Sequence, residues 1–248
     1  MQDNSALGRA MHMVRELRIR CAWDRVQTRE TLRPYLIEEV HELDQALGQD
    51  DPGAIRDEVA DLLLHLAWQL VLAEELAEFS PADAAHRLET KMKRRHPHLF
   101  ELGPAEAWET LKRRESGTSD AANAGVLEGL PPTLPELLMA YRLQERAAAV
   151  GFDWPDRTGP AAKVREELAE VEAEHGAERL EAEIGDLLFA VVNLARKVGV
   201  RPGPALERAN LKFRERFAKV ERLAAERNIE VHSAGLEVLD GLWNEVKR

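Results

Sequence analysis

The stretch KVREELAEVEAEHGAERLEAEIGDLLFAVVN, residues 163–193, decides the fold of this chain. It predicts two successive helices that carry acidic residues, namely Glu166, Glu167 and Glu170 on the first and Glu183 and Asp186 on the second. Residues three or four apart share a helix face, so each group points one way. The apolar run after Asp186 indicates a core helix, beside which carboxylates are costly unless a positive charge meets them. Hard divalent cations prefer such all-oxygen sites, and the stretch therefore predicts a magnesium site.

The same order of features occurs earlier in the chain. The first copy of the acidic pattern comprises Glu38, Glu39, Glu42, Glu58 and Asp61. A pair of cations follows each copy, Lys91 and Arg95 after the first, and Lys212 and Arg216 after the second. Between the copies, residues 116–134 are small, polar and rich in glycine and proline, which is typical of a linker. The sequence predicts two tandem helical modules, 1–115 and 135–248.

Composition favours a helical globular protein that stays in the cytoplasm. Hydrophobic residues make up 44% of the 248, charged residues 32%, and good helix formers dominate. The net charge of −11 argues against a nucleic-acid partner. Cys21 is the only cysteine, which excludes an intramolecular disulfide. Residues 1–5 lack the start of a signal peptide, and no apolar run is long enough for a bilayer, so we expect no membrane partner.

Both acidic copies match the pattern Glu-Glu-x-x-Glu followed by Glu-x-x-Asp-Leu-Leu, and further strings flank them. These are RRHPH at 94–98, GFDW at 151–154, VNLAR at 192–196 and KFRER at 212–216. Together they resemble the MazG nucleoside triphosphate pyrophosphohydrolases over essentially the whole chain. The resemblance implies an all-α fold of two tandem MazG-like modules with four-helix-bundle cores, completed by formation of a homodimer. It also implies cleavage of nucleoside triphosphates to monophosphate and pyrophosphate with Mg²⁺, for which Mn²⁺ can substitute.

The resemblance also assigns roles to residues of the second copy. It implies that the metal ligands are Glu167, Glu170, Glu183 and Asp186. It implies that the triphosphate is bound by Lys212 and Arg216, assisted by Lys163 and Arg179, and that Trp243 forms a wall of the base pocket. Arginine can grip phosphate oxygens bidentately, and a tryptophan face can stack on any base. The attacking water needs a carboxylate, for which Glu166 and a metal-ligating glutamate remain alternatives.

The surroundings of the two acidic copies differ. Asn193, two turns after Asp186, is a further candidate for substrate binding, although it can instead form a hydrogen bond across the bundle; its counterpart is Trp68. Lys163 corresponds to Tyr35, so the first copy has fewer cations. We therefore predict that the second module is the principal catalytic one. The first is weaker or structural, with a possible second site at Glu38, Glu39, Glu42, Glu58, Asp61, Lys91 and Arg95.

Other functions compatible with the sequence are weaker. The nearest alternative enzyme is a relative with a narrow substrate, such as phosphoribosyl-ATP or a single dNTP. The duplication and the stacking tryptophan favour instead an enzyme that accepts several bases. A nucleotide-binding regulatory module without turnover is a second alternative. The spacing Glu38-x-x-His41 is also that of di-iron carboxylate bundles, which need it on two helices. The second copy has Ala169 there, and His65 corresponds to Ala190, so both histidines are interpreted as packing or surface residues.

Overall fold

The computed structural model of the chain describes residues 5–103 and 125–247. Within these ranges the regular secondary structure is helical and no β-strand occurs, which confirms the predicted all-α fold. The chain divides into two compact units, Met1–Glu115 and Ser116–Arg248. This division falls at the start of the predicted linker, of which residues 116–124 lie outside the described ranges. None of the described helices is long and apolar enough to cross a membrane.

Between residues 5 and 103, the first unit has five α-helices and a short 3₁₀ turn at Pro97–Leu99. The helices are α1 (Ala6–Arg20), α2 (Ala22–Arg25), α3 (Arg29–Gln49), α4 (Pro52–Glu75) and α5 (Pro81–Arg95). A tight turn joins α3 to α4. In this turn Asp50 adopts a left-handed conformation, and the Asp51 carboxylate accepts a hydrogen bond from the backbone N–H of Gly53. Because the turn is so short, α3 and α4 pack against each other and bring their acidic residues together.

The core of the first unit lies where α1 packs on α4. Met11 and Val14 of α1 contact a cluster that includes Trp68 and Val71 of α4 and Leu32 of α3. Burying each such side chain is worth about 1.5–3 kcal/mol. Arg18 lies 5.3 Å above the Trp68 ring and pairs with Glu75 at 2.6 Å, which closes the edge of this core. Trp68 is therefore a structural residue of the first unit.

Between residues 125 and 247, the second unit also has five α-helices. They are α6 (Glu136–Ala148), α7 (Thr158–Ala173), α8 (Ala177–Lys197), α9 (Pro202–Glu226) and α10 (Gly235–Val246). The turn between α7 and α8 is only three residues long, and the two helices pack closely. Helix α6 covers another face of α8, while α10 packs on α9 through Val220, Ala224 and Leu242. The quoted stretch 163–193 thus forms the α7–α8 pair.

Candidate active site

The second unit gathers three carboxylates between α7 and α8. Glu167 and Glu170 lie one turn apart on α7, and Glu183 faces them from the second turn of α8. One oxygen of each lies within 4.8 Å of the others, and Glu167 is buried. A set of carboxylate oxygens at this spacing fits a hard divalent cation such as Mg²⁺. Three of the four predicted metal ligands therefore meet within one unit.

Lys163 is the cation nearest to this acidic cluster. It lies one turn before Glu167 on α7, and its Nζ is 2.6 Å from Glu167 Oε1 and 2.9 Å from Glu166 Oε1. The hydrogen bond from Lys163 is the main cause that lowers the pKa of Glu167. The pKa of Glu170 is raised, chiefly by its hydrogen bond with Glu167 and by burial. The negative charge of Glu167 is thus compensated by Lys163, while Glu170 is repelled by the charges of Glu167 and Glu183.

A cavity of about 510 Å³ opens beside the cluster and shares Glu167 with it. Its volume falls in the range of small-ligand pockets, about 300–1,000 Å³. The polar and aromatic side chains that line it are Gln144, Phe152, Trp154, Lys163, Glu167, Asp186, Phe189, Asn193 and Arg196. The fourth predicted metal ligand, Asp186, therefore lies on the cavity wall together with Glu167. Carboxylates, cations and aromatic faces meet here, as the binding of a nucleotide and a metal requires.

Arg196 is held in place on the cavity wall by a network of hydrogen bonds. Its Nη2 lies 2.5 Å from Asp153 Oδ1 and donates to Asn193 Oδ1 at 2.9 Å. Lys197 Nζ lies 2.9 Å from Asp153 Oδ2. The hydrogen bond from Arg196 is the largest cause that lowers the pKa of Asp153 to about 2. Asn193 thus bonds to the next turn of its own helix, and a cation with a fixed orientation stands beside the cavity.

The first unit has a corresponding acidic cluster in different surroundings. Oxygens of Glu39, Glu58 and Asp61, from α3 and α4, lie within 4.8 Å of one another. Burial is the largest cause of the raised pKa of both Glu39 and Glu58, and the charges of neighbouring carboxylates raise these pKa values further. The position of Lys163 is occupied by Tyr35. This cluster therefore carries more uncompensated negative charge than its counterpart.

The helix face that lines the cavity in the second unit belongs to the core in the first. Trp68 and Val71 hold the positions of Asn193 and Arg196, and each is only 2% exposed. Trp68 packs with Met11 and Leu32 in the main hydrophobic cluster. The first unit therefore keeps the carboxylates but places apolar side chains where the second has polar ones.

Sequence comparison links the chain to proteins that share both units. The profile of the MazG nucleotide pyrophosphohydrolase domain matches residues 27–100. A Thermotoga maritima protein named nucleoside triphosphate pyrophosphohydrolase/pyrophosphatase MazG is 40% identical over 92% of this chain and 89% of its own length. The chain belongs to the MazG family. The resemblance stated from the sequence motifs is thereby confirmed.

Two further relatives also align over nearly all of this chain. An Escherichia coli K12 protein named nucleoside triphosphate pyrophosphohydrolase is 38% identical over 96% of this chain and 94% of its own. The Bacillus subtilis protein YabN is 39% identical over 95% of this chain but only 50% of its own length. The order of the two units is therefore shared with relatives of similar length.

The remaining predicted residues of this MazG-family chain lie away from the cavity. Arg216 stands 5.3 Å above the Trp243 ring, and Trp243 packs with the core between α9 and α10. Lys212 is exposed one turn earlier on α9. Arg179 is 77% exposed and pairs with Glu174 at 3.3 Å beside the α7–α8 turn. Their assigned roles in substrate binding remain predictions.

The four other candidate residues of the first unit are not members of its three-carboxylate group. Glu38 and Glu42 are exposed on α3, and the three-carboxylate group does not include them. The charge of Glu42 nevertheless reaches the cluster, since it raises the pKa of Glu58. Lys91 and Arg95 lie one turn apart at the end of α5. The role of these four residues in a second site remains a prediction.

Four of the polar and aromatic cavity residues named here have no role in the assignments made from the sequence. Arg196 lies three positions after Asn193, so helical spacing alone places it on the same face. Phe152 and Trp154 belong to the GFDW string but lie in a loop, whose path the sequence pattern does not give. Gln144 comes from α6 and donates its side-chain N–H to the backbone oxygen of Phe189. A single amide on an amphipathic helix gave no signal for its place on the cavity wall.

Proposed function

We propose that this MazG-family enzyme hydrolyses nucleoside triphosphates to nucleoside monophosphate and pyrophosphate with Mg²⁺ and with tolerance for the base. The observation that carries the proposal is the second-unit cluster of Glu167, Glu170 and Glu183 at the edge of a cavity that it shares. The names of the relatives from Thermotoga maritima and Escherichia coli support the class of reaction.

The carboxylates of the second unit would hold the metal. Glu167, Glu170 and Glu183 would be its ligands, and Asp186 on the cavity wall would be the fourth. The bound ion supplies positive charge to phosphate oxygens, which stabilises the charge that develops during phosphoryl transfer. Lys163 and Arg196 add protein cations on the same cavity. They let an anionic substrate approach a chain whose net charge is −11.

A carboxylate must orient and deprotonate the attacking water. Glu166 is exposed and fixed by Lys163 at 2.9 Å, which places it beside the cluster. Glu170 is a metal-ligating glutamate that could act instead, and it lies within the cluster itself. Either group can accept the proton at a carboxylate oxygen, and Glu170 needs no movement away from the cluster.

Tolerance for the base would follow from the aromatic part of the cavity wall. Phe152 and Trp154 both line the cavity, and both are accessible to a ligand. Every base has a π-face, so stacking contributes about 1–3 kcal/mol per base with little selectivity. Trp243 is a second candidate wall, by resemblance to the family.

The second unit is the principal catalytic one in this proposal. Its cavity positions hold Asn193 and Arg196, whereas the first unit buries Trp68 and Val71 there. The first unit also lacks the counterpart of Lys163, because Tyr35 holds that position. The first unit can thus hold a cation between its carboxylates but has apolar packing where a nucleotide would lie.

A homodimer would cover the apolar surface that a single chain leaves exposed. Ile184, Leu188 and Val191 follow one another at helical spacing on α8, and they are 42–55% exposed. An apolar stripe of this kind on a soluble domain marks an interaction surface. We therefore propose that α8 packs against a second copy of the chain, which completes the bundle.

The reaction is tested by incubating the full chain with a panel of NTPs and dNTPs. Pyrophosphate and orthophosphate are quantified separately, with Mg²⁺ and with EDTA. We expect pyrophosphate and monophosphate from several bases, at least a hundredfold more with Mg²⁺ than with EDTA, since the metal contributes several kcal/mol to the barrier. Orthophosphate as the main product would contradict the proposed cleavage position.

The matched pair Glu183→Gln and Glu58→Gln tests which unit is catalytic. Both substitutions remove one charge from equivalent places on α8 and α4, and circular dichroism checks that both variants remain helical. We expect Glu183→Gln to lose at least a hundredfold in kcat and Glu58→Gln to lose less than threefold. Equal losses would contradict the assignment, and binding without turnover in the unmodified chain would favour a regulatory module. Turnover confined to one triphosphate would instead favour a narrow-substrate enzyme.

A further inference from the structure

An amide side chain on the cavity wall of the second unit has one atom without a partner. Gln144 of α6 lines the cavity, although only 6% of the residue is exposed. Its Oε1 atom is buried and has no hydrogen-bond partner among the described residues. Most buried polar atoms in proteins are paired, so an unpaired one calls for a physical reason. The roles proposed for the carboxylates and cations of the cavity give none.

The orientation of this amide is fixed by its other end. Gln144 Nε2 donates a hydrogen bond to the backbone oxygen of Phe189 on α8 at 2.8 Å. Exchanging the amide nitrogen and oxygen would set two acceptors against each other, so the free atom is the oxygen. Phe189 lines the same cavity. An acceptor that lacks a donor is therefore held on the cavity wall by a bond from α6 to α8.

A donor for this oxygen has to come from the ligand, and the chemistry of a nucleoside triphosphate decides which part carries it. Phosphate oxygens accept hydrogen bonds, so they do not pair with a carbonyl oxygen. Every natural nucleobase has an N–H on its Watson–Crick edge, such as the amino group of adenine or cytosine. Phe152 and Trp154 line the same cavity and offer faces on which a base stacks. A stacked base keeps its N–H groups in its own plane, where an amide of the wall can accept from them.

We propose that Gln144 Oε1 accepts a hydrogen bond from an N–H on the edge of the bound nucleobase, which makes Gln144 a base-binding residue. This inference rests on the proposed function, because it takes a nucleoside triphosphate as the ligand. The oxygen is buried in the free chain, so the base reaches it through the side-chain adjustments that are common on binding. The contact is compatible with tolerance for the base, since each natural base offers a donor. It disfavours triphosphates whose base has no N–H on that edge.

The contact is tested by comparing ATP with purine riboside triphosphate, which lacks the 6-amino group. Affinities for the full chain are measured by isothermal titration calorimetry with Ca²⁺, which also takes oxygen ligands, in place of Mg²⁺. We expect ATP to bind about tenfold more tightly than the analogue, the fold-change that one buried neutral hydrogen bond contributes. Binding of dATP should lie within threefold of ATP, because the donor is on the base. Gln144→Met removes the acceptor at similar size and should reduce the preference for ATP over the analogue to less than threefold.

Tyr141→Phe is the matched control. Tyr141 is buried one turn earlier on α6 and is not among the described residues that line the cavity, so this variant should keep the tenfold preference. If Gln144→Met does not fold, the three ligands on the wild-type chain decide the question.

Equal wild-type affinity for ATP and the analogue overturns the proposal, as does a preference that persists in folded Gln144→Met. A larger loss with dATP than with the analogue would assign the donor to a sugar hydroxyl and also overturn it. Turnover with Mg²⁺ is measured separately. A binding preference without turnover would contradict only the proposed function, and turnover without a preference would contradict only this inference.

Discussion

Replacement of Asp153 by asparagine should destabilise the second unit and loosen the cavity wall. The carboxylate pairs with Arg196 at 2.5 Å and with Lys197 at 2.9 Å. Its pKa is lowered from 3.8 to about 2. A drop of this size corresponds to at most about 2.5 kcal/mol of stabilisation at neutral pH. Solvent screens a partly exposed pair, so we expect a loss of about 1–2 kcal/mol in Asp153→Asn.

The pH dependence of this loss has a defined sign. The folded pKa of Asp153 is depressed, so its stabilisation is fully present above the unfolded pKa near 3.8. It declines as the pH falls through the folded value of about 2. The difference in stability between the wild-type chain and Asp153→Asn should therefore be constant from pH 7 to about 5 and shrink below about 4.

The measurement is hydrogen exchange of the α8 backbone amides at pH 7. A local readout is needed because the two units can unfold separately, which invalidates a single global free energy. We expect the free energy of opening of α8 to fall by about 1–2 kcal/mol in Asp153→Asn. Glu245→Gln is the control, since Glu245 pairs with Arg227 at the surface of the same unit at 2.6 Å, and its loss should cost about 0.5 kcal/mol or less.

Two outcomes would refute this reasoning. Equal protection of α8 in the wild-type chain and in Asp153→Asn would mean that the ion pair adds no net stability. A loss in Glu245→Gln as large as that in Asp153→Asn would mean that partial burial beside the cavity does not matter. In the first case the orientation of Arg196 toward the cavity would need a cause other than its pairing with Asp153.

Two further predictions concern the cavity and the exposed stripe. Gly159 packs beneath the Trp154 ring so closely that a Cβ atom there would overlap it. Gly159→Ala should therefore displace Trp154 from the cavity wall, and steady-state kinetics should show KM raised about tenfold with kcat nearly unchanged. Unchanged kinetics would mean that Trp154 does not contact the substrate. Leu188 is 55% exposed on α8. Leu188→Glu should convert the proposed dimer to a monomer, as measured by light scattering, whereas Glu181→Gln on the same helix should leave the dimer intact. A monomeric unmodified chain would contradict the proposed interface.

Local pattern was enough to predict the helices and their acidic faces. Helical spacing alone puts Glu167 and Glu170 on one face, and a short turn after α7 forces α8 to return beside it. The family, the all-α fold and the enzyme class predicted from the sequence are confirmed. The helices and their acidic faces follow from contacts between residues close in sequence, which is why the sequence was sufficient to predict them.

The cavity wall depended on contacts that no local pattern encodes. Trp154 lies in a loop, packs against Gly159 and lines the same cavity as Glu167. Gln144 reaches the cavity from α6, which precedes α8 by some 30 residues of chain. Arg196 gains its fixed orientation from Asp153, 43 positions earlier. Trp154 and Arg196 belong to strings that resemble the family, but the sequence did not predict their positions on the cavity wall.

The sequence by itself determined that two copies of one acidic helical pair exist, because repetition and helical periodicity are properties of the chain order. Only the tertiary structure decided how the copies differ in use. In the first unit, packing buries Trp68 in the core and turns His65 toward Glu39. In the second, packing leaves a cavity beside Glu167. Burial and distance depend on every neighbouring element at once, so equivalent positions acquire different chemistry only after the chain has folded.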